Sequence, residues 1–197
     1  MPNVAVLTND LQYEFTHKIS TDAQELDRMI KQFNVFLDGI RAASQVVVHL
    51  QLIHDPNDPQ VQRRYRGRAI PAIGGTPGNQ LIADVVHPSD VVVVKGRDSG
   101  FYETKLHDTL QDLGVSTVVV TGLQTHVCVQ TTAADAFFRG YKVWVPEDCV
   151  FSPKPEDTKR ALDWMAGYCA TIAPSSEILA RLSTSDDLPG RGEEAAA

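Results

Sequence analysis

The chain has 197 residues, 43% of them hydrophobic and 22% charged, which suits one globular domain with a single sizeable core. Its formal net charge of -7 argues against nucleic-acid partners, which call for clustered Lys and Arg. The three widely spaced cysteines, Cys128, Cys149 and Cys169, form no disulfide framework and fit a reducing compartment.

The opening MPNVAVLTND goes straight into a strand pattern, without a basic segment followed by a long apolar one. No apolar run approaches the ~20 residues that span a bilayer. The reading is a cytoplasmic chain with no membrane partner. Val4-Ala5-Val6-Leu7 reads as a buried strand whose carboxyl end carries Asp10. Over residues 21–43 the apolar positions Leu26, Met29, Ile30, Phe33, Phe36, Leu37 and Ile40 recur at helical spacing, with Asp22 as cap. Residues 46–50 are a second strand. Residues 54–90, rich in Pro, Gly, Asp and Arg, read as a long functional connection with one short helix at 80–82. Its basic stretch Arg63-Arg64-Tyr65-Arg66-Gly67-Arg68 reads as a solvated loop.

Val91-Val92-Val93-Val94 has the continuous β-branched character of a strand buried on both faces, and it ends in Lys95. A helix over 104–113 is stopped by Gly114, and a fourth strand over 117–120 ends at Thr121-Gly122. A helix over 126–139, a strand over 142–145, a helix starting at Pro155, a strand over 168–173 and a helix over 175–182 complete the pattern. Strands alternating with helices predict a three-layer α/β/α domain, residues 1–182, on a six-stranded, mostly parallel sheet. Residues 183–197 read as a flexible tail.

In such sheets ligands bind beyond the carboxyl ends of the strands. Asp10, Lys95 and Cys128 all fall there. With Thr125 as cap, Cys128 sits in a first helical turn, where unpaired N–H groups favour a thiolate and can hold an oxyanion. Lys95 emerges from four valines, so its charge needs a partner, and Asp10 is the candidate. The three make a working set: Asp10 moves the proton, Lys95 tunes both neighbours, Cys128 attacks. Cys149 and Cys169 begin no helix and read as small buried hydrophobes.

The same residues carry a resemblance. Lys95-Gly96-Arg97-Asp98-Ser99-Gly100-Phe101-Tyr102-Glu103-Thr104, the segment Gly122–Val129 with Thr132, Asp135 and Ala136, and Asp10-Leu11-Gln12-Tyr13-Glu14-Phe15 resemble the isochorismatase-like hydrolase superfamily. Gly75-Thr76-Pro77-Gly78 resembles a further family loop. The resemblance implies an Asp-Lys-Cys triad with a covalent acyl- or carbamoyl-enzyme. It also implies a cis peptide at Leu123–Gln124, which turns the Gln124 N–H toward the same oxyanion as the Cys128 N–H. A homo-oligomer, dimer or tetramer, is implied too.

Subgroups of that superfamily divide on residues visible here. Isochorismatases resemble this chain but lack the cysteine, so Cys128 points to C–N rather than ether cleavage. Nicotinamidase-type relatives use Asp-x-His and a further His for a metal. Here His49-Leu50-Gln51-Leu52-Ile53-His54-Asp55 has no Asp-x-His, and the expectation is no metal and no cofactor. The motifs look most similar to those of ureidoacrylate, biuret and other carbamoyl-type amidohydrolases, implying a small amide or ureido substrate. Phe15, Gln12, Arg97 and Phe101 are the candidate substrate contacts, Arg97 for a carboxylate or carbonyl or else for holding a loop. A nucleotide- or anion-binding module has only Gly74-Gly75-Thr76-Pro77-Gly78 in its favour. It lacks a glycine-rich turn after the first strand.

Overall fold

The computed structural model describes residues 3–185 and 187–193. Seven parallel strands form one sheet: β1 Val4–Asn9, β2 Val46–Leu52, β3 Val91–Lys95, β4 Thr117–Leu123, β5 Lys142–Pro146, β6 Val150–Phe151 and β7 Thr171–Ala173. Their order is β3-β2-β1-β4-β5-β7, and the two-residue β6 pairs with the end of β4. The strand beyond the expected six arises because β4 changes partner. It pairs with β5 at Thr117 to Val119 and with β6 at Gly122 and Leu123.

Among the described residues seven α-helices accompany the sheet: α1 Tyr13–Ile19, α2 Ala23–Ala42, α3 Pro59–Arg64, α4 Leu106–Asp112, α5 Gln130–Phe138, α6 Pro155–Tyr168 and α7 Ser175–Leu182. α2 forms where its apolar stripe predicted, and the Asp22 carboxylate accepts from the N–H groups of Gln24 and Glu25. It buries Met29, Phe33, Phe36, Leu37 and Ile40 on one face of the sheet, beside Ile178 and Leu182 of α7. Leu106 and Leu110 of α4, Ala133 and Ala136 of α5, and Ala161 and Met165 of α6 cover the other face. Each buried Leu or Phe contributes about 1.5–3 kcal/mol. No helix among the described residues is long and apolar enough to cross a membrane.

Several expectations are corrected. β3 is an edge strand, so Val92 and Val94 stay 46% and 53% exposed while Val93 and Lys95 are buried. Four valines in a row cannot by themselves tell an edge strand from a central one. The helix expected at 80–82 is absent. Single 3-10 turns at Pro77–Asn79 and Ala83–Val85 flank that segment, and Leu81 bridges to Gln12. The helix in this connection is α3, capped by Asp58 with Pro59 in its first turn. The last strand begins only at Thr171, because α6 runs on to Tyr168. Of the expected tail, residues 186 and 194–197 lie outside the described residues, and residues 187–190 are packed rather than loose. Leu188 is fully buried, Asp187 pairs with Lys142 at 2.9 Å, and the Trp144 indole N–H donates to Pro189 O. A polar segment packs here because Leu188 and these few partners anchor it.

His49 belongs to this framework. Its Nδ1 lies 2.7 Å from Thr8 Oγ1 and its Nε2 lies 3.0 Å from Asp90 Oδ2. Burial pushes its pKa down, so the neutral ring donates from Nε2 to Asp90 and accepts from Thr8. Arg41 of α2 grips both Asp90 oxygens, at 3.1 and 2.6 Å, and the His87 N–H adds a third donor. Burial works against ionised Asp90, but these donors hold its pKa below the ordinary range. Asp90→Ala should cost about 3 kcal/mol, read from denaturant unfolding, because it strands buried partners. In the parent protein that stabilisation is complete above the ordinary carboxylate pKa of about 4 and is lost as pH falls below it. An unchanged unfolding midpoint would contradict this.

Candidate active site

The strand order reverses between β1 and β4, and the site lies beyond the carboxyl ends of that pair, as expected for a doubly wound sheet. The close approach of the two strand ends needs a glycine. Gly122 has φ +107°, and a Cβ there would stand 2.2 Å from Asn9 O. Asp10, the next residue on β1, is also left-handed at φ 55°, a conformation Asp tolerates better than most residues. Its N–H donates to Leu50 O, which locks the carboxylate over the end of β2.

Lys95 reaches across β2 to meet it. The two side chains are 0% and 3% exposed, with Nζ 3.0 Å from Asp10 Oδ1 and 3.2 Å from Oδ2. The ammonium also donates to Asp98 O at 3.0 Å. Only the Oδ2 contact has hydrogen-bond geometry, and Oδ1 has no hydrogen bond among the described residues. The pair thus leaves one carboxylate oxygen free to accept a proton. Burial raises the Asp10 pKa, against the pull of Lys95 and the thiol. Burial alone would push Lys95 down; the Asp10 carboxylate and Cys128 together outweigh it and raise the Lys95 pKa.

Cys128 lies in a π-type turn, Thr125–Val129, between β4 and α5. No side chain caps this turn, and Thr125 Oγ1 instead approaches Thr158 Oγ1 at 3.3 Å. Gln124 O accepts from the N–H groups of Val127 and Val129, a pairing that leaves out the Cys128 N–H between them. The Leu123–Gln124 peptide is cis. The thiol is 5% exposed, and its Sγ lies 3.8 Å from Asp98 Oδ1. Burial, then the Asp10 charge, push its pKa well above the usual range, with Asp98 adding to them and Lys95 opposing. Burial and the two carboxylates thus oppose the acidification expected from the turn's N–H groups. Burial likewise lifts Cys149 to about 12 and Cys169 to about 11.

Asp10 and Cys128 meet in a cavity of about 390 Å³, within the range for small-molecule sites. Phe15, Leu52, Leu123 and Val127 give it apolar walls, and Gln124 lines it beside the nucleophile turn. Lys18, Arg64, Tyr65, Arg68 and Asp98 form its polar side. The other predicted contacts lie elsewhere. Gln12 is fully buried and clamps backbone: Nε2 donates to Leu52 O and Asn79 O, and Oε1 accepts from the Leu52 N–H. Arg97 turns away to Asp58 and Gln60 at 2.5 and 2.9 Å, so it holds α3 rather than lining the cavity. Phe101 stacks on Tyr141 in the core layer. Its motif neighbours explain their own spacing. Ser99 donates to Asp135, and Thr132 accepts from the Gly100 N–H while donating to Asn9 Oδ1. The two segments are thus fastened together.

Sequence reasoning missed Asp98, Arg64, Tyr65 and Arg68. The signal was the Arg63–Arg68 stretch, whose arginines are solvent-exposed as expected but of which Arg64, Tyr65 and Arg68 also line the cavity. His49 is spent on Asp90, and His54 Nδ1 lies 2.8 Å from Pro71 O. No group of three or more His, Cys, Asp or Glu among the described residues is arranged to hold a metal ion.

A family model described as the isochorismatase domain matches residues 4–177. The chain belongs to the isochorismatase family. It is 31% identical to streptothricin hydrolase of Streptomyces noursei over 186 residues, 88% of this chain and 69% of that protein. It is 37% identical to a ureidoacrylate amidohydrolase of Methylobacterium radiotolerans over 110 residues, 52% of this chain and 43% of that one. Against this and other curated relatives the match spans about half their length or less. The solved N-carbamoylsarcosine amidase of Thermoplasma acidophilum superposes with a TM-score of 0.75 at 30% identity, covering 87% of this chain and 96% of that one.

Because Asp10 raises the thiol pKa, Asp10→Asn should make the Cys128 thiolate appear at lower pH than in the parent protein. Ultraviolet thiolate absorption, with Cys128→Ser subtracted and folding checked by circular dichroism, measures this. An equal or higher pH of appearance would show that the carboxylate does not act on the thiol.

Proposed function

We propose that this isochorismatase-family hydrolase cleaves the C–N bond of a small amide or ureide through a covalent thioester-type intermediate on Cys128. The observation that carries the reading is the buried Asp10–Lys95 pair beside the thiol, at one cavity. Its relatives named as amidohydrolases and amidases support the bond type.

In this reading the neutral thiol is the resting form. As Sγ attacks the substrate carbonyl carbon, its proton passes to the Asp10 carboxylate. The C=O pair moves onto oxygen, and the N–H groups of Gln124 and Cys128 hold the oxyanion. Lys95 keeps Asp10 ionised until that moment and stabilises the charge as it moves. Collapse of the tetrahedral species breaks the C–N bond, and protonated Asp10 returns the proton to the leaving nitrogen. Water then attacks the thioester with Asp10 as base, releasing the acid or carbamic acid and restoring the thiol.

An ammonia-release screen over amides, ureides and N-carbamoyl acids tests this. Cys128→Ala should fall to background, and Asp10→Asn should lose about 10²–10⁴-fold in kcat. On the acid side kcat/KM should fall with an apparent pKa above the ordinary Asp value of about 3.9, because burial raises Asp10. Full activity in Cys128→Ala would overturn the mechanism.

A further inference from the structure

The cavity carries an excess of positive charge that the proposed chemistry does not use. In a chain of formal net charge -7, Lys18, Arg64 and Arg68 line it against Asp10 and Asp98, and Asp10 is already answered by Lys95. Lys18 has Glu14 at 3.7 Å. Arg64 touches Asp98 through one nitrogen only: NH1 lies 2.8 Å from both carboxylate oxygens. Its NH2 and Nε have no hydrogen bond among the described residues. Arg68 donates from NH2 to Arg64 O and has no carboxylate partner among the described residues. Both guanidinium groups lie over the ring of Tyr65, at 5.7 and 5.8 Å from its centroid, and His54 packs edge-on against that ring. Arg97 fixes the start of α3 through Asp58 and Gln60. Two arginine forks with free donor edges are therefore set on an aromatic support at the mouth of the cavity.

We propose that Arg64 and Arg68 bind a carboxylate of the substrate, so that the site takes small amides or ureides that are themselves acids. This rests on the hydrolase reading for the reaction, but not for the charge recognition. A planar guanidinium edge matches a carboxylate with two parallel N–H···O bonds. Asp98 acts as the stand-in anion on Arg64 in the free protein. Because Asp98 Oδ1 is also 3.8 Å from Cys128 Sγ, the Arg64 side of the pocket is adjacent to the reacting sulfur, as a small substrate requires. Lys18 adds to the local positive field.

The test uses two alkylating reagents of similar size and opposite suitability: iodoacetate, which carries a carboxylate, and iodoacetamide, which is neutral. Their rates at Cys128 are compared as a ratio, with free cysteine as reference, so that changes in thiol ionisation cancel. The ratio of iodoacetate to iodoacetamide should exceed the reference by about fivefold or more, the size of roughly 1 kcal/mol of charge recognition. Arg64→Gln and Arg68→Gln should each return it toward the reference. Arg63→Gln, an exposed charge of the same segment that does not line the cavity, should keep the parent ratio. A parent ratio at or below the reference, or an equal response to Arg63→Gln, overturns the proposal. Labelling is run at a pH where the Cys128 thiolate absorbs in the ultraviolet, and lack of labelling there by either reagent overturns the proposal together with the nucleophile. The two readings separate otherwise. A raised ratio without ammonia release from acidic amides leaves the anion site and removes the hydrolase. Ammonia release from neutral amides with a reference ratio does the reverse.

Discussion

The site is organised around a buried ion pair. Lys95 and Asp10 are both almost wholly removed from water, where an isolated charge is costly and breaking a pair costs about 3–5 kcal/mol. Neither charge can be held alone. This constraint explains why β3, an edge strand, must send its last side chain across β2. It also explains why Asp10 adopts a left-handed backbone at the end of β1. The pair gives up optimal bonding at Asp10 Oδ1, and in the proposed reaction that incompleteness leaves the oxygen open to a proton.

The electrostatics around Cys128 then follow. A buried thiol beside the buried Asp10–Lys95 pair and the partly exposed Asp98 has its pKa pushed up. Such a sulfur is a poor target for stray oxidants, since reactivity follows thiolate character. In the proposed reaction the thiolate forms only as the carbonyl carbon takes up the sulfur's electrons, with Asp10 receiving the proton at the same time.

Much of the frame was legible in the sequence because periodicity and caps report local physics. The α2 stripe, the Asp22 cap and the Asp10, Lys95 and Cys128 strand ends were read from spacing, and the structure brings these three residues together. What was not legible depends on neighbours. The Val91–Val94 run does not state whether β3 has one neighbour or two. Gln12, Arg97 and Phe101 sit in the right motifs, yet they fasten backbone, α3 and core instead of lining the cavity. Arg64 and Arg68 are solvent-exposed as they read, but nothing local reveals that Arg97 and Asp98 hold α3 so that both also line the cavity. Leu188 packs for a reason that only the sheet supplies.

The connection between β2 and β3 is tied down at separate points: Gln12 on Leu52 and Asn79, Glu14 on the Ala72 N–H, and the bridges His54 to Ile73 and Gln12 to Leu81. Between those rivets the segment carrying α3 forms one wall of the cavity, while strand ends form the floor. Floor and wall therefore answer to different parts of the chain. Mutation can redraw the wall, changing which molecules are admitted, while the rivets keep the floor in register. Changes in the α3 segment can thus alter the shape and charge of the cavity wall without displacing Asp10 or Cys128.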